Sequence, residues 1–141
     1  MSRPVVGVVL AVLLVLGTAG TRPVAAEVTC DGPLEPWTEV DLYFGLNLPS
    51  GAVVSEEQFR EFLADVVTPR FPDGLSVIDV AGQFRSSTGI IVREPSKLLV
   101  ILAPDAAAVA DEIGQVIRIY KRRFDQETVL QVEHLVCVAF E

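Results

Sequence analysis

Between Gly82 and Lys97 the chain reads GQFRSSTGIIVREPSK. Gln83, Arg85, Arg93 and Lys97 flank one short turn in a chain whose formal net charge is −8. Arginine offers a planar fork that pairs two oxygens at once, and lysine a compact cation, so this set could grip a carboxylate or a phosphate. Tyr43 adds to that reading, because Gly45 beside it leaves room above a sheet. The plainer alternative is polar trim: Arg93 and Lys97 balance Glu94 and Asp79, and Arg85 finishes a turn. The trim reading outweighs the anion site.

Other chemistry is thin. A hydrolase triad needs a nucleophile, a base and an orienting group, and the single histidine, His134, sits in a strand-like run where a structural role fits better. There is no G-x-S-x-G, P-loop or G-x-G-x-x-G. One histidine and two distant cysteines do not make a four-ligand zinc site, and no run of alternating acids makes a calcium loop, so no metal and no cofactor are expected.

The opening MSRPVVGVVLAVLLVLGTAGTRPVAA has the parts of a secretory signal. Arg3 gives a positive start, and Val5 to Leu16 is an apolar run shorter than the roughly 20 residues of a membrane span. Val24-Ala25-Ala26 places small residues for cleavage after Ala26. The protein is therefore expected to be exported, to the periplasm, cell envelope or medium, with no transmembrane segment after cleavage. An uncleaved anchor is the lesser alternative. Cleavage lowers the basic count from 11 to 9 against 19 acids, a net of −10. Such a surface repels phosphate backbones, so no nucleic-acid partner is expected.

Cys30 and Cys137 are the two cysteines, and in an exported chain an even count suggests a disulfide. Lipidation of Cys30 is a weaker reading, because Glu-Val-Thr before it is a poor lipobox. Free thiols are the remaining alternative.

The elements that must position these groups follow from periodicity. Residues 27–40, with two prolines and a glycine, read as an irregular lead-in in which Trp37 packs at the domain edge. DLYFGLNL alternates from Asp41 to Leu48, with Leu42, Phe44, Leu46 and Leu48 on one face. Ser55 to Gln58 is a capping box, followed by Phe59, Phe62, Leu63, Val66 and Val67 at helical spacing until Pro69. Leu75 to Arg85 reads as a second strand, with Ile78, Val80 and Phe84 toward the core and Asp79, Gln83 and Arg85 outward. Ile90 to Ala103 is the third strand, apolar on both sides from Leu98 to Leu102. Asp105 caps a second helix that ends in Lys121-Arg122-Arg123, cations suited to the carbonyl end of its dipole; a basic recognition patch is the sharper alternative. Val129 to Phe140 is the last strand.

The order β-α-β-β-α-β suggests a ferredoxin-like α+β plait: a four-stranded antiparallel sheet, strand order 4-1-3-2, with two helices on one face. Residues 41–141 form that single domain. The order sets Cys137 near the start of the first strand, beside the lead-in that carries Cys30. Pairing Gln83 with Arg93 would also set Asp79 opposite Lys97. The sheet face without helices is expected to carry Lys97, and with it Leu99 and Ile101, joined by Tyr43, Asn47, Asp79, Gln83, Arg85 and Leu135. A face of that kind is seldom left bare.

LYFGLN, TPRFPDGL, GQFR, REPSK and CVAF together resemble the bacterial family catalogued as "domain of unknown function 3574", from about Cys30 to Phe140. The resemblance implies a small exported protein, often a lipoprotein, and carries no catalytic residues. The chain departs from the family pattern in its missing lipobox and in Phe84, where GQWR is expected.

Three functions are open. The leading one is a non-enzymatic module that self-associates, or binds an exported protein partner, through the open face at Leu99 and Ile101. The alternative is a dimeric α+β barrel-type enzyme or sensor, with a small-molecule site between two sheets lined by Tyr43, Gln83, Arg85, Arg93 and His134. An inhibitor or chaperone-like domain is the third.

Overall fold

The computed structural model describes residues 29–86 and 88–141, so the signal segment expected over residues 1–26 lies outside it. Strand β1 runs Glu35–Gly45, β2 Ser76–Arg85, β3 Ile91–Ala103 and β4 Leu130–Val138. They form one antiparallel sheet in the order β2-β3-β1-β4, the plait topology expected from the element order. β1 starts six residues earlier than its alternation suggests. Pro36 and Trp37 pair with Cys137 and Val136, so much of the expected lead-in is strand.

Helix α1, Glu56–Phe62, starts on a complete capping box: Ser55 Oγ accepts from the Gln58 amide at 3.2 Å, and the Ser55 amide donates back to Gln58 Oε1 at 2.9 Å. The helix widens into a π turn over Leu63–Val67, closed by the Thr68 amide donating to the Leu63 carbonyl at 2.8 Å. Pro69 has no amide hydrogen to carry the ladder on. Arg70 then donates to the Val66 carbonyl at 2.6 Å, satisfying one of the carbonyls the helix end leaves open. Helix α2, Ala106–Arg123, starts where the Asp105 carboxylate accepts from the Ala107 amide at 2.9 Å.

Both helices cover the same side of the sheet. Phe44 on β1 lies 5.8 Å from Phe62 of α1 and 4.5 Å from Tyr120 of α2, ring centre to centre. Around them Val40, Leu42, Leu99, Ile101, Phe59, Ile113 and Val116 are almost wholly buried. The Tyr120 hydroxyl spends its hydrogen bond on the Gly45 carbonyl at 2.8 Å, so this large residue is buried without an orphaned polar group. Burial pushes its phenol well above the ordinary tyrosine value, and the Glu94 charge adds to that.

Cys30 and Cys137 form a disulfide across 107 positions, fastening the segment before β1 to the end of β4. Trp37 and Phe140 pack near it with ring centres 5.3 Å apart and planes tilted by 57°. A cross-link closing so long a loop removes much of the unfolded chain's freedom. Replacing both cysteines by serine is expected to lower unfolding stability by about 2–5 kcal/mol, read from urea denaturation with and without reductant. The reduced wild-type chain should match the variant.

Candidate functional site

β2 and β3 pair with Gln83 opposite Arg93 and Asp79 opposite Lys97, the register that the charge pattern favours. The same register corrects the assignment of faces. Leu99 is opposite Leu42, Ile101 opposite Val40 and Lys97 opposite Phe44, so all three lie on the helix-covered side. Leu99 and Ile101 are at most 1% exposed and belong to the core rather than to an open interface. Asp79, Gln83 and Arg85 share that side. Ile78 and Phe84, expected inward, are about half exposed on the opposite one. Leu135 also falls on the helix side by register, opposite Thr38.

Lys97 is the physical reason. A lysine in a strand marks the solvent side only when its ammonium reaches water, and this one is 4% exposed. Its Nζ donates to both Glu56 carboxylate oxygens, at 2.7 and 2.8 Å, and to Asp79. It also sits 5.8 Å from the centre of the Phe59 ring. Burial pulls the ammonium down, but the bonds and charges of Asp79 and Glu56 lift it further, leaving it above the ordinary 10.5.

The four residues of the hairpin therefore share one side, yet not one task. Arg93 Nε donates to Gln83 Oε1 at 2.9 Å, Arg85 is exposed near the turn, and Lys97 is held by two carboxylates. Tyr43 lies on the opposite face, separated from all four by the sheet. The space over Gly45 is taken: a Cβ there would meet the Glu94 carboxylate at 2.7 Å. In the last turn of α2, Arg123 bonds Glu61 of α1 at 3.2 Å and stacks over Phe124, so this member of the basic run joins two helices.

The uncovered face presents a different set. β1 contributes Trp37, Glu39, Asp41 and Tyr43, flanked by Leu98, Val100 and Leu102 of β3 and by Leu130, Val132 and His134 of β4. Ile78 and Phe84 extend the apolar surface onto β2. Asp41 stands near its middle, between Val100 and Val132 on the neighbouring strands. It is only 8% exposed, and its Oδ1 is buried with no hydrogen-bond partner. His134 faces Glu39 one step along and is exposed. The strand positions of this face hold Glu35, Glu39, Asp41 and Glu94 but no lysine or arginine; Arg85, Arg93 and Lys97 all point the other way. Asp41 escapes a reading that starts the strand at Asp41, where an acid looks terminal. Extending the strand back to Glu35 makes it central, and that is the signal that could have found it.

Among the described residues no cluster of three or more His, Cys, Asp or Glu could hold a metal ion, and no helix is long and apolar enough to cross a membrane. What the fold and face define is an α+β plait with one apolar, acid-bearing sheet side left uncovered. The chain belongs to the family described as "Protein of unknown function (DUF3574)", whose model matches residues 39–140. Among curated proteins none matches this sequence. Of solved structures, a phage SAM lyase in complex with S-methyl-5'-thioadenosine aligns with a TM-score of 0.58 at 14% identity, over 74% of this chain and 90% of that one. A phage SAM lyase in the apo state gives 0.54 at 15% identity, over 82% of this chain and 98% of the other. At that identity the likeness is one of fold.

Two outcomes follow from these charges. Because the Lys97 value is raised, its contribution is complete below pH 10.5 and is lost as pH climbs through the raised value. Removing both partners, Glu56→Ala with Asp79→Ala, leaves the ammonium without its carboxylates and should cost about 1–3 kcal/mol, since both carboxylates border solvent, whereas Lys97→Met should be nearly neutral and should abolish the alkaline loss; both are read by denaturation at neutral and alkaline pH. Asp41→Val joins its two valine neighbours and removes an unsatisfied buried oxygen, so it should raise stability by about 1–3 kcal/mol in the same measurement.

Proposed function

We propose that this protein is an exported small-molecule-binding domain that works as a dimer, two copies meeting through their uncovered sheet faces with the ligand between them. The observation that carries the reading is Asp41: a carboxylate set into an apolar sheet face with one oxygen buried and unpartnered. Structure alone gives no reason to keep such a group, since a buried polar atom without a partner is a cost to folding. A ligand that satisfies it gives one.

The size of the face supports a second copy as its cover. Four strands about 4.8 Å apart, with about nine residues rising 3.3 Å each, span on the order of 600 Å² before side-chain relief is added. A standard interface takes about 800 Å² from each partner, and an apolar patch of this extent is seldom left to water. Facing sheets pack about 10 Å apart when their side chains interdigitate, so a ligand between two copies would take the place of part of that filling. The phage lyase structure with S-methyl-5'-thioadenosine supports the reading at the level of fold: the same plait holds a small molecule there. The signal-like start of the sequence and the Cys30–Cys137 bridge support export, because disulfides persist in oxidising compartments.

Sedimentation of the oxidised protein should show a dimer. Leu98→Glu with Leu130→Glu, both on the uncovered face, should give a folded monomer with an unchanged circular dichroism spectrum. Native mass spectra of the dimer should carry an added small mass that this double variant lacks. A monomeric wild type with no bound mass overturns the proposal; a dimer without one reduces it to self-association.

A further inference from the structure

The chain handles its two buried charges on the sheet in opposite ways. Lys97 is given two carboxylates, from α1 and from β2. Asp41 Oδ1 is given nothing. Where a buried charge serves only the fold, this structure pairs it. The orphaned one lies on a face from which every strand arginine and lysine has been turned away, with Glu39 beside it along β1 and Glu94 further along the same side. A second copy closing over this face brings another Asp41 and Glu39, so the closed space gathers negative charge in surroundings of low dielectric.

Resting on the proposed small-molecule site, we infer that its ligand is an organic cation: an ammonium group carried on an apolar or aromatic body, with an N–H donating to Asp41 Oδ1. The surrounding side chains suit the body of such a molecule. Val100 and Val132 flank the carboxylate, Leu98 and Leu130 lie one step along, and the Tyr43 ring between them offers a face to a cation. A carboxylate or phosphate ligand would meet the Asp41 and Glu39 carboxylates here with no arginine or lysine to pair it, and the one imidazole, His134, stands opposite Glu39. A neutral ligand would leave the charge of Asp41 uncompensated.

Three probes of one skeleton test this: 3-phenylpropylamine, 3-phenylpropanol and 3-phenylpropionate, titrated into the oxidised protein by calorimetry, with amide shifts of Val100 and Val132 followed by NMR. The amine should bind at least roughly tenfold more tightly than the alcohol, and the carboxylate most weakly. Asp41→Asn, its fold checked by circular dichroism, should bring the amine down to the level of the alcohol, while Glu133→Gln, on the other side of the sheet opposite Val40, should change little. Equal binding of amine and alcohol, or amine binding undiminished in Asp41→Asn, overturns the cation and leaves the small-molecule site standing. Binding of none of the three at millimolar concentration overturns the inference, and the mass-spectrometric search for a retained molecule then decides the wider proposal on its own.

Discussion

The ammonium of Lys97 is the point on which the arrangement of the sheet turns. It stands at the centre of β3, buried against the Phe59 ring, with Asp79 from the neighbouring strand and Glu56 from the first turn of α1 closing on it. One contact fixes the register of β2 on β3, because a slip of one residue would turn Asp79 to the far side and leave the charge unpaired. The other ties the start of α1 to the sheet, where the capping box at Ser55 already sets the helix direction. Replacing such a group by an apolar one need not weaken a fold. What it supplies here is uniqueness: a sheet apolar on both sides of β3 has little else to say which side the helices should cover.

That ambiguity explains how far the fold could be read from the residues. The elements themselves were legible, because each rests on a local rule: alternation from Asp41 to Leu48, helical spacing from Phe59 to Val67, a cap at Asp105. Their order then left few topologies, and it brought Cys30 beside Cys137. The charge pattern even gave the pairing of β2 with β3. The side of the sheet was not legible. Period two says that Lys97, Leu99 and Ile101 share a face, but not which one. The usual signpost, a lysine turned to water, pointed wrongly because this lysine's partners come from an exposed helix start and a neighbouring strand. Reversing the face moved Leu99 and Ile101 into the core and put Ile78, Phe84 and Leu98 outside it. It also separated Tyr43 from the hairpin cations. Asp41 was hidden by a smaller error, six residues at the start of one strand.

Once the sides are assigned, the charges divide by face. The helix side collects arginines and lysine and gives several of them partners: Gln83 for Arg93, Glu56 and Asp79 for Lys97. The uncovered side carries acids and one histidine, but no arginine or lysine, among leucines, valines and aromatics. A net negative chain need not be arranged this way. Scattering the cations over both faces would weaken the repulsion among Glu39, Asp41 and Glu94 and would ease the burial of Asp41. The fold forgoes that relief on one side of the sheet only.

The oxygen left unsatisfied there is a local conflict in an otherwise consistent design. Packing, capping and register all agree around the Phe44 and Tyr120 core, down to the tyrosine hydroxyl that finds the Gly45 carbonyl. A sequence that meets its polar groups so closely in one layer, and leaves a carboxylate stranded in the next, departs from its own rule at a single strand position. Such departures gather where a protein binds something, because a site fully satisfied by its own chain has no unmet hydrogen bond to offer a ligand. Asp41 sits on β1, a central strand paired on both sides with β3 and β4, so the carboxylate is presented from regular sheet rather than from a loop. The rigid core on one side of β1 is therefore what makes the exposed side usable: Val40, Leu42 and Phe44 anchor the strand, and Glu39, Asp41 and Tyr43 between them are aimed by that anchoring.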